Sequence, residues 1–404
     1  MIRELYQTKI RETALNVSMN RIDAVRHKEI TKSGCRVYSG GLIGISGRLG
    51  EPTAETWEAA KANLALKVPY PFDPEKDQTR IRDLREVSLT DPEFIRLAEA
   101  VLDELRSGHP DFIFSNKISM TETEVRLRND KGLDFLNLDR TFNIGLLVKH
   151  KDSVNVFDTG VMRQDRVFDR AALLRDAEAM LGAFTVAKPL PARKTMLVVT
   201  EPDLLLGKMQ ESLNGEAIAR AASLFCGKIG TEVFSPTFSL WQDRSKEQMH
   251  VPFFDTEGIR TKQDICPLIE NGVILRAFTD KRNAALLGFP STGAAAGAYD
   301  DVPSLGGAPL TIAPSDRTLR ELLAGEEAML VVIASGGDYT GPGDYASPIQ
   351  MALLTDGEKT LGRLPECNVR GNLFSLFGSD FVGISSDKPL SGNRALVVRM
   401  TVDG

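Results

Sequence analysis

The chain has 404 residues, more than one ordinary hydrophobic core sustains, and its 42% hydrophobic and 26% charged residues are the balance of a folded globular protein. A formal net charge of −6, with no block of Lys and Arg set apart from acidic neighbours, argues against a nucleic-acid-binding face. Four cysteines stand singly at positions 35, 226, 266 and 367, which argues against a disulfide framework and a zinc ribbon and suits a reducing compartment.

The opening Met1-Ile2-Arg3-Glu4-Leu5-Tyr6 has no apolar signal core, and apolar runs such as Met329-Leu330-Val331-Val332-Ile333-Ala334 are too short to cross a bilayer. The expectation is a cytoplasmic protein whose partners include neither membrane nor nucleic acid. Strands come first. Arg36-Val37-Tyr38 and Leu42-Ile43-Gly44-Ile45 flank Ser39-Gly40-Gly41, the signature of a hairpin. Glycines 41, 44 and 47 resemble a phosphate loop only loosely, because no helix start follows them.

Thr53-Ala54-Glu55-Thr56-Trp57 opens a helix that Ala59, Ala60, Leu64 and Leu66 continue. A second begins at Asp91-Pro92-Glu93, read as an Asp cap with proline at the first helical position, and runs through Phe94, Leu97, Ala98, Val101, Leu102 and Leu105. Alternation from Glu122 to Val161, with turns at Asn129-Asp130-Lys131-Gly132 and Lys151-Asp152-Ser153, predicts an antiparallel meander. A helix over residues 171–184 closes this region, and Pro189 and Pro191 mark a stiff linker.

Beyond the linker, Thr195 to Thr200 reads as a buried strand. A helix from about Pro202 follows, carrying Leu205, Met209, Leu213, Ala217, Ala221 and Leu224 on one face. After Phe234 come strands and Gly/Pro turns, with a helical stretch near residues 318–325. The order predicts an α+β fold. Residues 1–188 form an N-terminal domain of mixed strands and helices; residues 194–404 form a mainly antiparallel β domain with one long helix near its start.

Catalytic motifs are sparse. The four histidines, His27, His109, His150 and His250, offer no H-E-x-x-H pair, and no G-x-S-x-G elbow exists. Ser385-Ser386-Asp387-Lys388 has an S-x-x-K spacing but no evident helix to align its ends. Asp255 and Glu257, in Phe254-Asp255-Thr256-Glu257-Gly258, pair two carboxylates, with a turn as the plainer reading. Two glycine-rich segments, residues 291–297 and 335–343, are either tight loops or places where backbone meets an extended peptide; Thr292, Gly293, Gly336, Gly337 and Thr340 are the peptide-binding candidates.

An ordered set of signposts carries a family resemblance. These are Gly227-Lys228-Ile229-Gly230-Thr231-Glu232-Val233-Phe234-Ser235-Pro236, the Asp255/Glu257 segment and Pro267-Leu268-Ile269-Glu270-Asn271-Gly272. Ala284 to Gly288 with Ser291-Thr292-Gly293, Thr340-Gly341 with Gly343-Asp344, and Gly371-Asn372-Leu373 complete it. The chain resembles the TldD/PmbA family, once called modulators of DNA gyrase.

The resemblance implies a heterodimeric peptidase. A TldD-like subunit carries H-E-x-x-x-H on a helix and a C-terminal cysteine that together hold zinc; a PmbA/TldE-like subunit has lost them. Placing Ser212-Leu213-Asn214-Gly215-Glu216 just after the motif puts Leu206 at the first histidine, Gly207 at the glutamate and Glu211 at the second histidine. Ser385 falls near the cysteine position, and Cys367 lies upstream of it. This set lacks the ligands and base of a catalytic zinc.

The expectation is therefore a zinc-free PmbA/TldE-like subunit that binds no cofactor itself, with zinc on a TldD-like partner subunit and an unfolded or leader peptide as substrate. Two alternatives stand beside it. One is a stand-alone homodimer with metal-independent hydrolytic or tailoring activity, and the other is a regulatory binding module.

Overall fold

The structure is a computed structural model describing residues 1–404. Strand β1 (Ile2–Ser18) turns at Met19-Asn20, both at positive φ, into β2 (Arg21–Ser39). The expected glycine turn then leads to β3 (Leu42–Leu49), with Gly40 and Gly41 at φ of 59° and 73°. Helix α1 (Ala54–Ala62) is capped by Thr53, and β4 (Val68–Pro69) and β5 (Gln78–Asp83) follow.

Helix α2 (Asp91–Gly108) starts one residue earlier than its sequence suggests. Thr90, not Asp91, is the cap: its N–H and hydroxyl both donate to Glu93 Oε2, at 2.8 and 2.6 Å. A Thr-x-x-Glu box satisfies more of the open amides than an isolated Asp, which leaves Asp91 in the first turn and Pro92 second. The meander appears as β6 (Phe112–Asn129), β7 (Leu133–His150) and β8 (Thr159–Asp165), closed by α3 (Arg170–Phe184).

The strands form one sheet in the order β4-β3-β2-β1-β6-β7-β5, with β8 also beside β7; only β5–β7 is parallel. Helices α2 and α3 cover one face through Phe94, Val101, Leu105, Leu173 and Leu181. The loose phosphate-loop glycines serve packing. A Cβ on Gly44 would stand 2.2 Å from Ala60 O in α1, and one on Gly47 would stand 2.2 Å from Asp300 Cβ. Gly34 is tighter, its hypothetical Cβ only 1.7 Å from the carbonyl oxygen of Tyr299. Gly34 and Gly47 let a loop of the C-terminal half lie directly on the sheet, and Gly44 does the same for α1.

The linker prolines do not give a free tether. Residues 186–188 run along an outer strand edge, with Lys188 N–H donating to Arg363 O at 2.8 Å and Arg363 N–H to Val186 O at 2.7 Å. Sheet membership changes over here, but packing does not: Met351 and Leu353 join the N-terminal core, while Phe253 and Phe254 pack with Leu127 and Phe135.

The C-terminal half opens with β9 (Thr195–Thr200), α4 (Asp203–Ser212) and α5 (Gly215–Ala219). The single long helix expected here is two short ones. Asn214 accepts from Glu216 N–H and Ala217 N–H, capping α5 locally, and Gly215 N–H donates to Phe278 O at 3.0 Å. A local cap and a tertiary bond thus override a continuous helical period. Leu205, Met209 and Leu213 are buried as expected, whereas Ala221 is exposed at φ of 55°.

A small sheet in the order β12-β11-β10-β15 combines β10 (Leu240–Asp243), β11 (Ile265–Glu270), β12 (Val273–Ile274) and β15 (Leu310–Ile312). Helix α6 (Lys281–Leu287) and the pair β13 (Ala295–Ala296) and β14 (Ser304–Leu305) lie within the intervening chain. After α7 (Leu319–Leu323) come β16 (Ala328–Ala334), β17 (Asp338–Tyr339), β18 (Asp344–Thr355), β19 (Thr360–Leu364) and β20 (Cys367–Asn372). The last elements are α8 (Leu373–Leu376), β21 (Phe381–Ile384) and β22 (Leu396–Asp403).

Strands β16, β9, β22, β20 and β18 pair in that order, and β18 pairs back onto β16, so the sheet closes on itself. Only β16–β9 is parallel, which makes this half mainly antiparallel and the fold α+β, as expected. Met196, Val198, Met329, Val369, Leu396 and Val398 belong to its core. No helix is long and apolar enough to cross a membrane.

Candidate functional site

Helix α4 packs its apolar side, Leu205, Leu206 and Met209, into the barrel core. Leu206 is therefore a core residue, at the position where a metal ligand would have to leave the core. Gly207 is exposed, and a Cβ there would meet no atom within 4 Å. Glu211 is exposed too, but both its oxygens lie 2.8 Å from Lys208 Nζ, whose side chain is buried along the helix. The ammonium already neutralises the single carboxylate.

Two segments brace this helix. Tyr339 Oη donates to Leu205 O at 2.9 Å, and the Gln210 amide, oriented to suit, donates to Ala308 O and accepts from Ala308 N–H. Ser385 sits elsewhere, fully buried in a turn where its hydroxyl donates to Asp387 O at 2.8 Å and accepts from Ala395 N–H at 2.9 Å. Lys388 points to Glu247 instead, so the S-x-x-K spacing does not become a pair.

No group of three or more His, Cys, Asp or Glu side chains is placed to hold a metal. The donor set at the motif positions does not fit zinc: an aliphatic side chain, no side chain, and a carboxylate with a resident cation.

The five peptide-binding candidates fall in two places. Thr292 is buried; its hydroxyl donates to Gln242 Oε1 and accepts from Thr279 N–H. The Gly293 carbonyl accepts from Gln242 Nε2 and Arg244 Nε, and its φ is 76°. This loop's polar groups face inward and are occupied. Gly336 and Gly337, just before β17, and Thr340, in the β17–β18 turn, are exposed beside α4.

At that hairpin, Ser347 Oγ donates to Gly336 O at 2.6 Å, and Thr340 Oγ1 accepts from Asp344 N–H. Gly337 has φ of 130°, and a Cβ would stand 2.7 Å from Ser347 Cβ and 2.8 Å from Tyr345 Oη. The Tyr345 hydroxyl is buried with no partner.

A second polar cluster surrounds the Asp255/Glu257 pair, and its other members escaped sequence reading. Where the two halves meet, Tyr70 Oη donates to Glu257 Oε1 at 2.6 Å, and Lys281 N–H donates to Glu257 Oε2 at 2.9 Å. Asp255 accepts from the N–H groups of Glu257, Ile259 and Ala295, each at 2.9 Å. Arg36 Nη1 donates to Thr256 O at 2.6 Å and lies 3.4 Å from Glu4, which also accepts from Tyr38 Oη.

Burial, with Asp255 beside it, pushes the Glu257 carboxyl up to about 7; burial likewise raises Asp255, opposed by Arg244. The expected turn is present, with Gly258 N–H donating to Asp255 O, yet both carboxylates are buried in a shared network. Apolar Phe253 and Phe254 just before it were the available signal for burial.

Residues 194–401 match the model of the PmbA/TldA metallopeptidase C-terminal domain. The chain is similar to an uncharacterised protein of Methanocaldococcus jannaschii, 23% identical over 308 residues, covering 74% of this chain and 69% of that protein. A metalloprotease TldD homologue of Haemophilus influenzae is 30% identical over 118 residues, which spans 29% of this chain and only 24% of the relative. In shape the chain is similar to TldE from Thermococcus kodakarensis, with a TM-score of 0.81 at 17% identity over 100% of this chain and 97% of that one.

Proposed function

This chain belongs to the PmbA/TldD metallopeptidase family, and we propose that within it the chain is a zinc-free, TldE-like subunit, non-catalytic itself, which works beside a zinc-bearing TldD-like homologue on unfolded or leader peptides. Helix α4 carries the reading. Hydrolytic zinc chemistry needs three protein ligands and a base for the bound water. Leu206 is committed to the core, Gly207 has no side chain, and Glu211 is held by Lys208. The Gly336–Thr340 stretch beside that helix, exposed except at Tyr339, is the part we assign to peptide contact, through backbone groups that glycine leaves accessible.

The test is to purify the chain alone, measure its metal content, and assay an unfolded peptide with and without a zinc-bearing family member. Substoichiometric zinc and no cleavage alone, with cleavage in the mixture, is the expected result. Stoichiometric zinc with hydrolysis by the pure chain overturns the reading. A metal-independent enzyme built on Ser385 predicts turnover by the pure chain that Ser385→Ala abolishes. We expect that substitution only to remove the bonds to Asp387 O and Ala395 N–H, costing about 1–3 kcal/mol of stability in a urea titration.

A further inference from the structure

We propose that the contact between residues 68–77 and the start of helix α6 is a proton-held latch between the two halves, with Glu257 as its switching group. The geometry comes first. Tyr70 reaches across from the N-terminal half to bond Glu257 at 2.6 Å, and its ring packs on Tyr38 and Phe72. Lys281 gives Glu257 only its backbone N–H. Its ammonium goes to Glu75 Oε1 at 3.0 Å and to Asp73 O at 2.7 Å, holding the same segment from the other side.

The charges around the carboxyl do not balance unless it keeps its proton. Glu4 is paired by Arg36, and Asp255 faces Arg244, both pairs buried. Glu257 has no cation of its own, and Asp255 and Asp280 add negative potential. Tyr38 and Tyr70 are phenols that stay neutral here, since burial raises both. A buried, unpaired carboxylate is costly in a medium this poor in water, so the closed latch favours the acid.

The direction follows from linkage. The closed form holds the Glu257 proton up to about pH 7, while an opened, hydrated Glu257 releases it near the ordinary value of 4.5. Between those values the closed form binds one more proton. Closure is therefore fully supported below the lower value and weakens as pH rises. The opening constant should increase about tenfold per pH unit and level off above about 7.

Hydrogen–deuterium exchange of the full chain tests this, corrected for intrinsic exchange, at pH values from 5 to 8. Peptides covering residues 68–77 and 253–259 should open at least about tenfold more readily at pH 7 than at pH 5, with little change in the β1–β2 hairpin. Glu257→Gln should flatten that dependence. Tyr70→Phe removes a donor that favours the carboxylate and should move the levelling-off to higher pH. An unchanged pH profile in a folded Glu257→Gln, or in Tyr70→Phe, overturns the latch. So does a wild-type profile in which every segment loosens alike.

Discussion

Replacing Arg36 with methionine is expected to destabilise the protein by about 3–5 kcal/mol, read as a lower urea midpoint at unchanged slope. Arg36 is fully buried on β2, with its guanidinium over the Tyr6 ring, bonded to Thr256 O and facing Glu4. Methionine fills similar volume, so packing is nearly kept. What is lost is the only cation beside the Glu4 carboxylate, leaving Tyr38 and Asn129 as its donors. Removing one member of a buried pair strands the other charge, which costs more than the pair itself was worth. The double variant Glu4→Gln with Arg36→Met should recover more than half of the loss. Equal losses in the single and double variants would show that Thr256, and not Glu4, dominates the site.

Gly34→Ala is the second large expectation, about 3 kcal/mol or more, because the added carbon would meet a backbone oxygen that cannot rotate away. Either β2 bends, or the loop bearing Tyr299 lifts from the sheet and gives up the cation–π contact with Lys32. The control is Gly207→Ala, an exposed mid-helix glycine with open space around it. The same methyl group there should stabilise by about 0.5–1 kcal/mol through helix propensity. Thermal or urea unfolding of the two variants should thus move in opposite directions. A neutral Gly34→Ala would mean that the loop does not rest on the sheet.

These expectations mark where the sequence was legible. The Gly40–Gly41 hairpin, the helix after Thr90 and the meander from β6 to β8 are specified by nearby turn and cap residues, so reading neighbours sufficed. At the motif positions residue type speaks for itself, because the side chains of Leu206 and Gly207 offer no metal ligand in any fold. The break after Ser212 was half legible, since Asn214-Gly215 is a capping pair, but its bond to Phe278 lies far along the chain. Of the Glu257 cluster, only the Asp255/Glu257 pair in its turn was legible. Its key bond joins residues 187 positions apart, and beyond the apolar Phe253 and Phe254 nothing in the turn motif points to two buried acids.

The closed ring of the C-terminal half has a consequence for how the chain is made. Strand β22 stands between β9 and β20, so the ring has a gap until residues 396–403 exist. The N-terminal sheet, by contrast, is built largely from neighbouring hairpins and can form as it emerges from the ribosome. At synthesis rates of roughly 5–20 residues per second, β9 waits on the order of 10–40 seconds for the strand that completes its pairing. Both edges of this apolar strand stay open until residues 328–334 exist and one stays open until β22 does, and the already folded N-terminal sheet, with α3 packed on it, is the surface nearest in sequence to shelter it.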